Sequence, residues 1–83
     1  MPKTSEREII CSAAVKALRT ERLRQNLSMN MLAQKAGLHV SMISLLERDL
    51  RKPTLDVFLR IAEALDVEFW KILKSATEKT RKR

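Results

Sequence analysis

Glycine occurs once in this chain of 83 residues, proline twice and tyrosine not at all. Aromatic residues make up 4% of the chain against 45% hydrophobic residues, so the apolar content is mostly Leu, Ile, Ala, Val and Met. Sheets draw on β-branched and aromatic side chains, whereas this mixture suits helices, and the expected fold class is all-α. Cys11 is the only cysteine, which excludes an intramolecular disulfide and fits a reducing compartment. With His39 as the only histidine there is no ligand set for a structural zinc, and no metal or cofactor is expected. No hydrophobic run approaches the ~20 residues that cross a bilayer, and the start MPKTSERE lacks a signal-peptide core. A cytoplasmic protein with no membrane partner is the expectation. Acidic residues are missing from the whole stretch Arg22 to Leu46, and the formal net charge is +7, which favours polyanions. A chain this short holds one small core, with no room for a separate catalytic domain.

What is present is organised around Leu27 to Glu47. Leu32, Ala33 and Ala36 mark the inner stripe of one short helix, Ile43 and Leu46 that of another, and Gly37 separates them. Small residues such as Ala33 let two helices cross closely, and a glycine lets the chain turn with positive φ. The pattern is that of a helix-turn-helix, whose second helix can enter a major groove, and double-stranded DNA is the expected partner.

In chain order, residues 1–5 form a flexible lead ending at Ser5, and Ser5 with Glu8 has the spacing of a capping box that starts the first helix near Glu6. Ile10, Ala14, Ala17, Leu18 and Leu23 lie at helical spacing, Cys11 shares the stripe of Ala14, Leu18 and Arg22 as a packed thiol, and Lys16, Arg19 and Arg24 are assigned to solvent. Asn26 is a residue type that tolerates the left-handed conformation just past a helix end. Ser28 caps the second helix, about Met29 to Ala36. The third starts at His39 or its neighbour and ends near Asp49. Leu50 to Pro53 is a basic loop, Thr54 caps the fourth helix with its stripe Leu55, Phe58, Ile61, Ala62 and Leu65, and Asp66 and Val67 make a turn. The fifth helix takes Glu68 onward. The domain is drawn as residues 6–75, and residues 76–83 as a basic C-terminal tail that frays.

Leu18-Arg19, Arg22, Leu27-Ser28, Leu32-Ala33, Gly37, Ile43-Ser44, Glu47-Arg48, Pro53-Thr54-Leu55 and Ala64-Leu65 together resemble the phage-repressor and Cro-type (XRE) helix-turn-helix family. The resemblance implies a five-helix, lambda-repressor-like DNA-binding domain. It further implies a structural ion pair between Arg22 and Glu47. Glu47 is close in helical phase to Ile43, and an inward carboxylate needs a cation.

By the same comparison, bases are met by His39, Val40, Ser41, Ser44 and Leu45 at the start of the third helix. Family members often carry Gln, Arg or Asn there, which bond base edges in pairs. Here Val40 and Leu45 suit thymine methyl groups, Ser41 and Ser44 a base or phosphate, and His39 a phosphate. Packing of Val40 on the second helix is the alternative. Met29 stands where many members have Gln, so the phosphate grip falls to Ser28 and the helix N-terminus. Lys35 adds charge at the end of the second helix, and Arg48, Arg51 and Lys52 occupy the connection that in the family approaches the backbone.

On the fifth helix, Phe69, Trp70, Ile72 and Leu73 are too wide a group for one inner stripe, so a homodimer interface through Phe69, Trp70 and Leu73 is expected; packing of Trp70 on the first helix is the alternative. In the family such dimers set two recognition helices roughly 34 Å apart on palindromic half-sites. The expected function is a sequence-specific transcriptional regulator of repressor type. A protein-interaction module, antitoxin-like or adaptor, with a protein partner on the apolar surface of the third helix, is the competing class. An enzyme is excluded because His39 has no paired nucleophile and no phosphate-cradling glycine loop exists.

Overall fold

The computed structural model describes residues 5–81. The expectations for residues 1–4 and 82–83 lie outside them. Five helices follow in order: α1 (Glu6–Arg24), α2 (Met29–Ala36), α3 (Val40–Glu47), α4 (Leu55–Ala64) and α5 (Phe69–Arg81). No strand occurs among the described residues.

Each of the first four helices starts on a side-chain acceptor. Ser5 takes the Glu8 N–H while Glu8 returns the bond to the Ser5 N–H, and Ser28, His39 and Thr54 accept from Met31, Ser41 and Val57. The same four helices end alike. Leu27, Leu38, Leu50 and Val67 reach back five residues to the carbonyls of Arg22, Ala33, Leu45 and Ala62. This closure needs one left-handed residue, and it is taken by Asn26, Gly37, Asp49 and Asp66 at φ of 59°, 69°, 60° and 58°. One glycine therefore suffices for four helix ends, because short polar side chains tolerate that conformation at modest cost.

Ala14, Val15 and Leu18 of α1, Leu32, Ala33 and Ala36 of α2, Ile43 and Leu46 of α3, and Phe58, Ile61, Ala62 and Leu65 of the α4 region form one core, completed by Ala76. α1 runs against α5 and α3, α2 against α3 and α4, and α4 against α5. Phe58 and Phe69 meet edge to face with centroids 4.9 Å apart, which joins α4 to α5. Gln25, just past α1, donates to the Leu65 carbonyl at 2.8 Å and ties the end of α1 to the end of α4.

Arg22 and Glu47 are the charged centre of this packing. The Arg22 Nε and Nη2 donate to Glu47 Oε2 and Oε1, each at 2.8 Å, and Nη1 donates to the Leu27 carbonyl at 2.7 Å. Both side chains are more than nine-tenths shielded from solvent. Arg19, assigned to solvent from the sequence, stands 3.6 Å from Glu47 Oε1 on the same carboxylate.

Several expectations are corrected. Leu23 and Leu55 are 47% and 64% exposed and do not belong to the inner stripes. Leu55 is the first residue of α4, and helical side chains lean toward the helix N-terminus, where α4 has no earlier turn. The tail expected after Ser75 is instead helical to Arg81, because Ala76 is buried against the core and Arg81 Nη2 donates to Glu6 Oε1 at 3.0 Å at the far end of α1. Of the residues expected at a dimer interface, Phe69 is partly buried with its ring on Phe58, Leu73 is partly buried against the core, and Trp70 is 57% exposed; this leaves the interface itself untouched. The Trp70 indole N–H donates to Glu68 at 2.6 Å.

Two stability measurements follow. Arg22→Met strands the Glu47 carboxylate in a shielded site and should cost about 3 to 5 kcal/mol in urea unfolding, with most of the loss recovered in the Arg22→Met, Glu47→Leu double variant. Ala76→Leu should cost about 1 to 3 kcal/mol by overpacking, whereas Ser75→Leu one residue earlier should stay within about 0.5 kcal/mol.

Candidate nucleic-acid interface

α3 is anchored through Ile43 and Leu46, which are 1% and 2% exposed. Ser41, Ser44, Leu45 and Arg48 follow at the i, i+3, i+4 and i+7 spacing that puts them on the opposite face. Ser41 and Arg48 are exposed and Ser44 and Leu45 half-buried. Arg48 is the C-cap of the helix, with its Nε 3.4 Å from the Ser44 carbonyl.

His39 sits at the other end. Its Nδ1 accepts the Ser41 N–H at 3.5 Å, which makes His39 the cap, and lies 3.1 Å from the exposed Ser41 hydroxyl. Val40 is half-buried and shares a shallow surface recess with Asn30, Ala33 and Gln34 of α2. Packing of Val40 toward α2, the alternative weighed from the sequence, accounts for one side of this residue.

At the start of α2, the Ser28 Oγ accepts the Met31 N–H at 3.0 Å, and Met29 is 37% exposed. Met29, Ser44 and Arg48 line one groove together with Lys16, Arg19 and Thr20 of α1. From the sequence alone Lys16 and Arg19 are solvent-facing cations. Their i, i+3 spacing shows that they share a flank of α1, but only the crossing of α1 over α3 shows which surface that flank faces. Glu47, the carboxylate at the bottom of this groove, is neutralised by Arg22 and approached by Arg19.

The α3–α4 connection carries Arg51 and Lys52, both exposed, and Lys35 is exposed in the last turn of α2. Lys52 is not free in the way its place in a basic loop suggested, since its Nζ stands 3.6 Å from Glu8 Oε2. The Glu8 carboxyl is held below the usual carboxylate range, first by the Ser5 backbone N–H, then by the Ser5 hydroxyl and by the charge of Lys52. Asp49, in the same connection, accepts the Ser12 hydroxyl at 2.9 and 3.1 Å. Among the described residues no group of three or more His, Cys, Asp or Glu side chains is placed to hold a metal ion. No helix among them is long and apolar enough to cross a membrane.

The arrangement is a short helix whose outer face carries Ser41, Ser44, Leu45 and Arg48, flanked along α1 by Lys16 and Arg19, with its own carboxylate, Glu47, neutralised by Arg22. An uncharacterized HTH-type transcriptional regulator of Mycobacterium tuberculosis, in strains CDC 1551 / Oshkosh and ATCC 25618 / H37Rv, is 42% identical to this chain over 50 residues. That alignment takes in 60% of this chain and 36% of each relative, so the chain spans about a third of the length of the curated relatives it matches. The profile of the helix-turn-helix family matches residues 18–69, from the middle of α1 to the first residue of α5. Since that match extends over more than half of the chain and runs through the α2–Gly37–α3 unit, the chain belongs to the helix-turn-helix family, of the phage-repressor and Cro type.

Proposed function

We propose that this chain is a sequence-specific, DNA-binding transcriptional regulator that sets α3 in the major groove and acts as a homodimer on a palindromic operator. The observation that carries the reading is the charge pattern around α3. Lys16, Arg19 and Arg48 line one groove with Ser44 of α3, Glu47 in that groove is taken up by Arg22, and Lys35 and Arg51 are exposed cations on the elements before and after α3. Phosphate contacts supply most of the affinity in such an interface and carry no base information. Ser28 and the first N–H groups of α2 add a phosphate grip.

Discrimination then rests on Ser41 and Ser44 as hydrogen-bonding groups, on Leu45 and the free side of Val40 against thymine methyl groups, and on DNA shape. His39 is committed to the cap of α3 and contributes by holding the first turn in place. The role in transcription is carried over from the mycobacterial HTH-type transcriptional regulators that the chain resembles. The competing reading, a protein-docking surface on α3, has only the free sides of Val40 and Leu45 to rest on, both of them half-buried. The homodimer is assigned to the exposed face of α5 around Trp70, with Phe69 and Leu73 supporting that face from below.

Selection from a random duplex library at ~0.15 M salt, where counterion release has weakened purely electrostatic binding, tests the whole reading. The expected product is a palindrome with half-sites about one helical turn apart. Ser41→Glu should lower affinity for that site at least about tenfold with the fold intact, since like charges brought together in an interface cost on the order of several kcal/mol. Trp70→Ala should shift sedimentation toward the monomer. A folded protein that enriches no sequence would sink the regulator reading, and an unchanged sedimentation profile in Trp70→Ala would remove α5 from the interface.

A further inference from the structure

Residues 6–17 of α1 precede the stretch matched by the family profile, yet the first half of the helix touches the α3–α4 connection twice. The Ser12 hydroxyl donates to both Asp49 carboxylate oxygens. One helical turn earlier, Glu8 Oε2 stands 3.6 Å from Lys52 Nζ. The i, i+4 spacing of Glu8 and Ser12 puts both on one flank of the helix, the flank that runs along the connection.

Glu8 is not a loosely held surface carboxylate. Its Oε1 accepts the Ser5 backbone N–H at 3.1 Å and the Ser5 hydroxyl at 3.2 Å, which leaves Oε2 turned toward Lys52. The capping box has thus already restricted the side chain that meets the lysine, so the pairing loses less rotamer freedom than an ordinary surface ion pair. Arg51, next to Lys52 in the same connection, has no ion pair among the described residues. Of two adjacent cations, one is held by α1 and the other is open.

We propose that Glu8 is a latch on Lys52 that competes with DNA phosphate for its charge, so that the first half of α1 sets how strongly the α3–α4 connection grips the backbone. This rests on the DNA-binding reading above and deepens it. A phosphate that takes Lys52 must displace Glu8 and leave its carboxylate unpaired beside the DNA. The contact lowers affinity for every sequence alike, because it acts on a phosphate contact and not on a base.

Glu8→Gln tests the latch with the helix start preserved, since glutamine also completes a capping box. Binding of the full chain to a labelled duplex of unselected sequence is followed by fluorescence anisotropy across a salt series. Glu8→Gln should tighten binding about two- to fivefold at ~0.1 M salt and steepen the dependence of log K on log salt by about 0.9, the contribution of one phosphate. In a Lys52→Gln background the same substitution should do neither. Ser5→Ala, which loosens the capping box and frees the Glu8 side chain but keeps its charge, should move the salt slope in the same direction by less than half as much. The latch is overturned if wild-type protein binds and Glu8→Gln leaves the slope where it was. It is also overturned if the gain is equal in the Lys52→Gln background, which would make it a long-range charge effect, or if Ser5→Ala matches the Glu8→Gln change in full, which would make it fraying. Wild-type protein that binds no duplex at any salt would instead sink the DNA-binding reading, and the latch with it.

Discussion

The bidentate pair between Arg22 and Glu47 joins three segments through a single guanidinium: the last turn of α1, the α1–α2 turn through the Leu27 carbonyl, and the end of α3. α3 is eight residues long and carries two fully buried side chains, Ile43 and Leu46. A helix of that length has little stability of its own in water, so its position must come from what it is fastened to. The ion pair supplies direction as well as attraction, because two parallel N–H to oxygen bonds fix the guanidinium and carboxylate in one plane. It also removes a negative charge from the surface that α3 presents. A hydrophobic pair would hold the helix without orienting it by hydrogen bonds.

Around that centre the molecule closes by contacts between segments far apart in the chain. Gln25 reaches the Leu65 carbonyl, Ser12 reaches Asp49, and Arg81 reaches Glu6. Each is an exposed or half-exposed polar contact of small worth alone. Their common effect is geometric, since all three involve α1 or the residue that caps it, and α1 thereby serves as the rail along which the ends of α3, α4 and α5 are set. The long first helix is therefore more than a lead-in to the helix-turn-helix. It holds the connection that carries Arg51 and Lys52 as well as the helix that ends in Arg48.

Helix starts and stops were legible because they are written in adjacent residues. Ser5 with Glu8, Ser28 and Thr54 cap by side chains two or three residues from the bonds they satisfy, and Asn26 and Asp49 take left-handed turns that their own side chains make tolerable. The inner stripes of α2 and α3 were equally plain, since three or four residues at helical spacing suffice to mark them. The misreadings fell where the answer depends on a distant partner. Leu23 and Leu55 continue an apolar period and yet lie beyond the reach of a neighbouring helix. Residues 76–81 look like a charged tail because only Ala76 faces the core, and a single small side chain makes no visible stripe.

By itself, the sequence determined the all-α class, the order of the five helices, the Gly37 turn and the acid-free stretch from Arg22 to Leu46, because each follows from local propensity, capping chemistry or composition. Tertiary structure alone decided that Phe69 turns inward onto Phe58 while Trp70 remains outside, and that Lys16 and Arg19 border the groove beside α3. It also decided that Lys52 lies against Glu8. The physical reason is the same in each case. Helical periodicity says which residues share a face, but the crossing of one helix over another says what that face meets.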